Sequence, residues 1–426
     1  MPESQSNIRY FDVVLCVSRA LDLLSPVLSD HHQRTAYVAA CIAEELQLDA
    51  EQKRDIVVAG ALHDAGAVSM SSRLALLQSA LPGHECDCGE DVHRHGLDGY
   101  RLLHEFEPFA NAARAIRFHH VDWEGGRGAE FDGEPVPLAS HILRVADNVA
   151  ILPRRGDNIL AQARHIRALI RAHAGTRYRE DLVAAFEQAA QRESFWLDLV
   201  SPYKEEILRP YFGTHRVALA SDALYELARL LGRIIDYRSP FTVLHSANVA
   251  AAAQRIGELA GMPPSQVRIL GLAGQLHDLG KLAVPPEILD KPAGLSAQEE
   301  LIVRQHPYHT YRILSMVPGL EEVALYGALH HERIDGSGYP YRMRGMPFGS
   351  RVVAVADVFA ALTEDRPYRA GMSWERSVGI LDGMAARGVL DGEVVALVRR
   401  DPGAFGQFVE RRREPASRGV AQAAAS

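Results

Sequence analysis

An all-α protein of two helical bundles joined by a helical linker is what this sequence predicts, and three observations predict it. Apolar residues recur with the 3.6-residue period in nearly every stretch, as in Asp222–Ile235, where Leu224, Leu227, Leu230, Leu231 and Ile234 share one face. Period-two alternation is scarce, so strands have little to build on. The chain also repeats itself, from Ser25 to Leu152 and again from Ser239 to Leu362. Two copies of a helical pattern imply two bundles rather than one large core.

Each repeat opens on Ser-Pro just before a helical run, at Ser25-Pro26 and Ser239-Pro240, and places a histidine early in that run, His31 or His245. A His-Asp pair begins 32 positions later in both. A Tyr-Arg-apolar-Leu segment follows, Tyr100–Leu103 and Tyr311–Leu314, and each copy ends on Val-Ala-Asp, at Val145–Asp147 and Val355–Asp357. Between the copies, Asp157–His173 and Asp181–Leu208 read as connector helices. Gly/Pro-rich Gly125–Pro137 and Gly336–Pro347 each suit a small hairpin. The expected organisation is residues 1–152 as a first domain, 153–218 as linker, 219–411 as a second domain, and 412–426 as a disordered Ala/Gln/Ser tail.

Composition bounds the function. At 426 residues, 47% hydrophobic and 23% charged, the chain matches an ordinary soluble protein with room for two or three cores. A net charge of −8 argues against a nucleic-acid polymer as partner, because a phosphate backbone needs basic surface, yet a small anion in a local basic pocket remains compatible. No run is long and apolar enough for a membrane span, and Met1–Tyr10 lacks the features of a signal peptide. Four cysteines (Cys16, Cys41, Cys86, Cys88) suggest no disulfide framework, so a reducing cytoplasm is expected.

The chemistry sits in a doubled set of histidines and acids. The second copy holds His245, His277-Asp278, His306, His330-His331 and Asp357. The first holds His31, His63-Asp64, His95, His119-His120 and Asp147, and the offset between copies drifts only from 214 to 210. Any one histidine is more often structural than a ligand. Seven elements in order, twice, are not explained that way, and neutral imidazoles mixed with carboxylates are what a paired metal site requires. Asp357 lies in Val352–Leu362, an apolar run with no other charge, and a buried carboxylate is costly unless paired or metal-bound.

The second half resembles an HD-GYP domain, a branch of the HD phosphohydrolase superfamily. The resemblance rests on His277-Asp278-Leu279-Gly280-Lys281, His306-Pro307, His330-His331-Glu332-Arg333, Asp335-Gly336-Ser337-Gly338-Tyr339-Pro340, Asp357, and Arg366-Pro367-Tyr368-Arg369, within Leu219–Ala385. It implies a phosphodiesterase for cyclic dinucleotides, chiefly cyclic di-GMP, opened to pGpG and onward to GMP, with iron or manganese as metal. Cyclic GMP-AMP as substrate, and a non-catalytic sensor or scaffold, are the alternatives. A homodimer or a signalling-protein partner is compatible with either. In this reading Asp278 bridges two metals, with His245, His277 and Asp357 on one and His306, His330 and His331 on the other. A metal-activated hydroxide would attack phosphorus in line. Lys281 would stabilise developing charge, and Arg366 and Arg369 would grip phosphate. Gly336 and Gly338 would let backbone approach the ligand, and Tyr339 would stack on a base or shape the rim. Some family members bind a third metal through a Glu one turn before the first histidine; Phe241 stands there, so two metals are expected.

The first half keeps the seven candidate ligands but not their surroundings. Ala67 replaces Lys281, Val121–Gly126 replaces the Gly-Tyr-Pro loop, and Gly156 and Ile159 stand where Arg366 and Arg369 would be. A metal-binding regulatory or structural domain is expected rather than a second catalyst. His84, Cys86, Cys88 and His93 add soft ligands in a loop, compatible with zinc or with a redox role.

Overall fold

The computed structural model describes residues 7–24, 30–67, 89–154, 156–213, 216–218, 221–238, 240–365 and 370–410. Two compact units divide the chain, Met1–Leu230 and Leu231–Ser426. Helices dominate both, as the periodicity predicts. Among the described residues no helix is long and apolar enough to cross a membrane.

In the first unit, β1 (Asn7–Arg9) leads into α1 (Tyr10–Asp22), α2 (His31–Glu45), α3 (Ala50–Leu62), α4 (Gly89–Leu103) and α5 (Ala110–Arg117). The hairpin expected within Gly125–Pro137 is present as β2 (Glu130–Phe131) and β3 (Glu134–Pro135). Its turn residues Asp132 and Gly133 both take positive φ, which the tight two-residue turn demands. Then come α6 (Leu138–Ile151), α7 (Ile159–Ala172), α8 (Glu180–Ala189), α9 (Glu193–Leu199) and α10 (Lys204–Leu208), before β4 (Arg216–Ala218) pairs antiparallel with β1. The second expected connector helix, Asp181–Leu208, is therefore three short helices, interrupted at Ala190–Arg192 and Val200–Tyr203. Pro202 in the later break explains part of this, since it cannot donate to a continuing helix. Trp196 and Phe195, buried beside Phe186, hold the pieces together.

The division between units falls within α11 (Ser221–Arg238). The second unit continues through α12 (Pro240–Leu259), α13 (Pro264–Leu276), α14 (Pro286–Leu289), α15 (Ala297–Val303), α16 (His306–Leu314), α17 (Glu321–Ala328), α18 (Phe348–Thr363), α19 (Trp374–Ala386), α20 (Gly392–Arg400) and α21 (Pro402–Glu410). The hairpin expected in Gly336–Pro347 is absent. Tyr341 and Met343 give their backbone N–H groups to the Glu332 carboxylate, at 2.7 and 2.9 Å, where a hairpin would use a partner strand.

One packing arrangement recurs. In the first unit α2 lies against α3 and α6; in the second α12 lies against α13 and α18. Each pair crosses at a glycine. A Cβ on Gly60 would come 2.6 Å from Ala36 Cα, and one on Gly274 would come 2.8 Å from Ala250 Cα. Backbones that close let the early histidine of one helix reach the His-Asp pair at the end of the next.

Candidate metal centre

The second unit brings all seven sequence-predicted ligands together. His245 comes from α12, His277-Asp278 from the end of α13, His306 from the first turn of α16, His330-His331 from just beyond α17, and Asp357 from the middle of α18. Most are buried, His331 and Asp357 partly. His245 Nε2 lies 3.2 Å and His277 Nε2 3.8 Å from Asp357 Oδ1. Asp278 faces both sides. Its Oδ2 is 3.3 Å from His277 Nε2, and its Oδ1 is 3.3 Å from His306 Nε2 and 4.0 Å from His330 Nε2. Two ligand groups, His245/His277/Asp357 and His306/His330/His331, thus lie on either side of one carboxylate.

The backbone selects the tautomers. His277, His306 and His330 each donate Nδ1–H to a carbonyl three residues back, at Gly274, Val303 and Gly327, over 2.8, 2.7 and 2.6 Å. Their Nε2 lone pairs therefore point inward, as metal ligation requires. Burial drives the His330 imidazole well below its ordinary range and His331 to about 3, so both are neutral at pH 7. Burial alone would raise the Asp278 and Asp357 carboxyls. The histidines around both, together with Lys281 beside Asp278, instead hold them far below the ordinary carboxylate value. Neutral imidazoles and ionised carboxylates are the ligating forms. His277 Nε2 and Asp278 Oδ1 are buried without a hydrogen-bond partner, which fits a site shaped for cations.

Several residues that the spacing did not reveal shape this centre. Glu364 accepts the His245 Nδ1–H at 3.0 Å and Asn248 Nδ2–H at 2.8 Å, fixing the ring whose Nε2 faces Asp357. Thr310 donates to the His277 carbonyl and accepts from Gly280 N–H, both at 2.9 Å, tying α16 to the His-Asp turn. No local pattern marks either residue; each works through a contact made by the fold. Glu364→Gln keeps the shape and removes the charge. It is expected to weaken metal binding about 10–100-fold in a chelator competition titration.

The residues expected to meet substrate differ in their placement. Lys281 forms a 2.6 Å ion pair with Asp278 Oδ2 and is a quarter exposed, so it sits at the edge of the centre. Tyr339 stacks on His331 with centroids 4.8 Å apart, and Arg304 covers it at 4.5 Å. Its ring thus packs against a candidate ligand. The close approach that Gly338 permits is to protein: a Cβ there would lie 2.4 Å from Glu332 Cα. Gly336, at φ +80°, turns the loop and would crowd Arg344. Arg366 and Arg369 lie outside the described residues, and so does the side chain of Phe241.

The first unit assembles the same seven. His31 Nε2 is 3.0 Å from Asp147 Oδ1 and 3.2 Å from His63 Nε2; His95 Nε2 is 3.2 Å from His119 Nε2 and 3.7 Å from Asp64 Oδ1. Ala67, at the Lys281 position, is buried. Cys86, Cys88 and His84 lie outside the described residues, and His93 packs against Phe131 at 4.6 Å.

Two matches to the HD domain cover residues 28–152 and 229–394. The 3'3'-cGAMP-specific phosphodiesterase 1 of Vibrio cholerae is 30% identical over 408 residues, spanning 93% of this chain and 92% of the relative. This chain belongs to the HD-GYP family of cyclic-dinucleotide phosphodiesterases. Other relatives in the family match a smaller part of the chain: a cyclic di-GMP phosphodiesterase of Thermotoga maritima is 40% identical over 152 residues, 35% of this chain and 41% of its own length. The crystal structure of a cyclic GMP-AMP-specific phosphodiesterase from V. cholerae shares the fold, with a TM-score of 0.64 at 22% identity over 92% of this chain and 97% of that one.

Proposed function

We propose that the second unit hydrolyses a cyclic dinucleotide with two divalent transition metals, and that 3'3'-cGAMP is preferred over cyclic di-GMP. The convergence of His245, His277, Asp278, His306, His330, His331 and Asp357 on one buried point supports the metal-dependent reading. When bound, the metals would supply Lewis-acid stabilisation of the phosphate and an activated water. The chain's own groups do the rest. Asp278 spans the two ligand sets, the backbone carbonyls fix imidazole orientation, and Lys281 places a cation where charge develops on phosphate oxygen. Iron or manganese suits this imidazole and carboxylate set.

Substrate choice rests on the extent of likeness. The cGAMP-specific phosphodiesterases 1 and 3 of V. cholerae align over 93% and 90% of this chain, through both units, whereas the T. maritima cyclic di-GMP enzyme aligns over about one third. The full chain, loaded with iron or manganese, is expected to open 3'3'-cGAMP with a kcat/KM at least about tenfold above that for cyclic di-GMP, a difference of about 1.4 kcal/mol at the transition state. Equal or inverted values, read by chromatography of the linear products, would reject the preference. Tight binding of both without turnover would reject the enzyme reading in favour of a sensor.

A further inference from the structure

A cavity of about 520 Å³ opens in the first unit between the start of α2, the segment after α6 and Val200. That volume lies within the roughly 300–1,000 Å³ of small-molecule sites. Several of its walls are counterparts of residues near His245 in the second unit, and the repeat has changed their charge. Arg34 stands where the second unit has Asn248, and Arg154 where it has Glu364. In the second unit that amide donates to that carboxylate at 2.8 Å. In the first, two arginines line one cavity. Gly156 and Ile159, which stand where Arg366 and Arg369 would be, line it too. The arginines missing at one pair of positions are thus present at another.

The surroundings hold these charges in place. Gln162 accepts the Arg154 N–H at 2.8 Å and donates to the carbonyls of Arg154 and Asp157 at 3.3 Å, latching the loop that carries Arg154 onto α7. The Arg154 guanidinium makes no ion pair among the described residues. Lys204, 1% exposed in α10, lies 3.7 Å from Asp30 Oδ2 and offsets that acid from behind. Asp157 is the remaining acid of the wall. Both α2 and α7 begin here, at His31 and Ile159, and helix N-termini add positive potential. The balance favours an anion. Guanidinium forks match phosphate oxygens, and a phosphomonoester dianion gains more from two cations than a singly charged diester does. Pro153, Ile159 and Val200 give the same cavity an apolar side, and Asp157 offers an acceptor for ring N–H groups such as those of guanine.

We propose that the first unit binds a nucleoside 5'-phosphomonoester in this cavity, with the phosphate held by Arg34 and Arg154 and the base against Pro153, Ile159 and Val200. The site binds without reacting, and it does not depend on the chemistry of the second unit. A free mononucleotide and the 5'-phosphate end of a linear dinucleotide carry the same group.

Equilibrium dialysis of the full chain carrying Asp278→Ala, which prevents turnover, tests this with 5'-GMP, pGpG and 3',5'-cyclic GMP. Saturable binding of 5'-GMP or pGpG is expected, with cyclic GMP at least about tenfold weaker because its phosphate is a diester. Arg34→Asn and Arg154→Glu install the residues of the second unit, and each should weaken binding at least about tenfold by removing charged hydrogen bonds. Tighter binding of pGpG assigns the site to the linear dinucleotide, and tighter binding of 5'-GMP to the free nucleotide. Circular dichroism checks the fold. Arg154 is exposed, so Arg154→Glu carries the test if Arg34→Asn does not fold. No saturation by 5'-GMP or pGpG at millimolar concentration, equal binding of cyclic GMP, or unchanged binding in Arg154→Glu would overturn the proposal; the last result would place the ligand in the second unit.

Discussion

Asp278→Ala is expected to lower kcat by at least about a thousandfold and to remove two metals per chain. The argument starts from burial. Asp278 is 1% exposed, and its two oxygens face different histidine groups, with Lys281 on Oδ2. Removing the carboxylate leaves the inward-facing imidazoles without the one anion common to both sides, and strands the Lys281 ammonium. Metal-supplied stabilisation of a phosphoryl transition state is worth several kcal/mol, and at about 1.4 kcal/mol per tenfold a loss of roughly 4 kcal/mol already amounts to three decades. Asp278→Asn separates charge from packing. It fills the same volume, so it should keep the melting temperature closer to that of the parent chain and still lose both metals and turnover. Asp278→Asn with a tenth or more of parental kcat at full folding would refute the bridging role.

The convergence of the candidate ligands was legible in sequence because each repeat spaces them on helices that start and stop at fixed intervals, and the duplication cancels coincidence. His31 and His63 occupy the same relative positions as His245 and His277, and the glycine crossings at Gly60 and Gly274 recur with them. What escaped was every contact that leaves the repeat. Glu364 lies 119 positions from His245, and nothing local marks it as the group orienting that ring. Asp22 belongs to a helix that precedes the repeat, and its 2.8 Å bond to His32 Nδ1 crosses that boundary. Arg144 sits one turn before Asp147 and looks like a surface residue until the fold turns it onto Asp122 and His120. The Gly336–Pro347 segment misled in the opposite direction. Its glycines and prolines suit a hairpin, but the buried Glu332 carboxylate takes the backbone donors instead. Local periodicity thus reveals which helices exist and which side chains face inward. The long-range hydrogen bonds that decide tautomer and charge emerge only in the folded chain, and they are where the two centres diverge.

That divergence makes a paired substitution informative. A Cβ at Gly280 would stand 1.9 Å from the His306 carbonyl oxygen, and one at Gly66 would stand 2.1 Å from the His95 carbonyl oxygen. Both obstacles are backbone, so the helix bearing the third histidine must move in each case. Gly280→Ala and Gly66→Ala are each expected to cost about 3 kcal/mol of stability, at the high end for overpacking because no side chain can swing aside. Their effects on catalysis should part. Displacing His306 by about 1 Å disturbs the centre that faces substrate, and misplacement on that scale costs about 100-fold in kcat. Displacing His95 disturbs the first unit's cluster, where Ala67 stands at the position of Lys281. Measured well below both unfolding midpoints, Gly66→Ala should turn over cyclic dinucleotide within about twofold of the parent chain, while Gly280→Ala falls by two decades. Equal losses would mean that the first unit shares in the chemistry, and a single catalytic centre would no longer describe the enzyme.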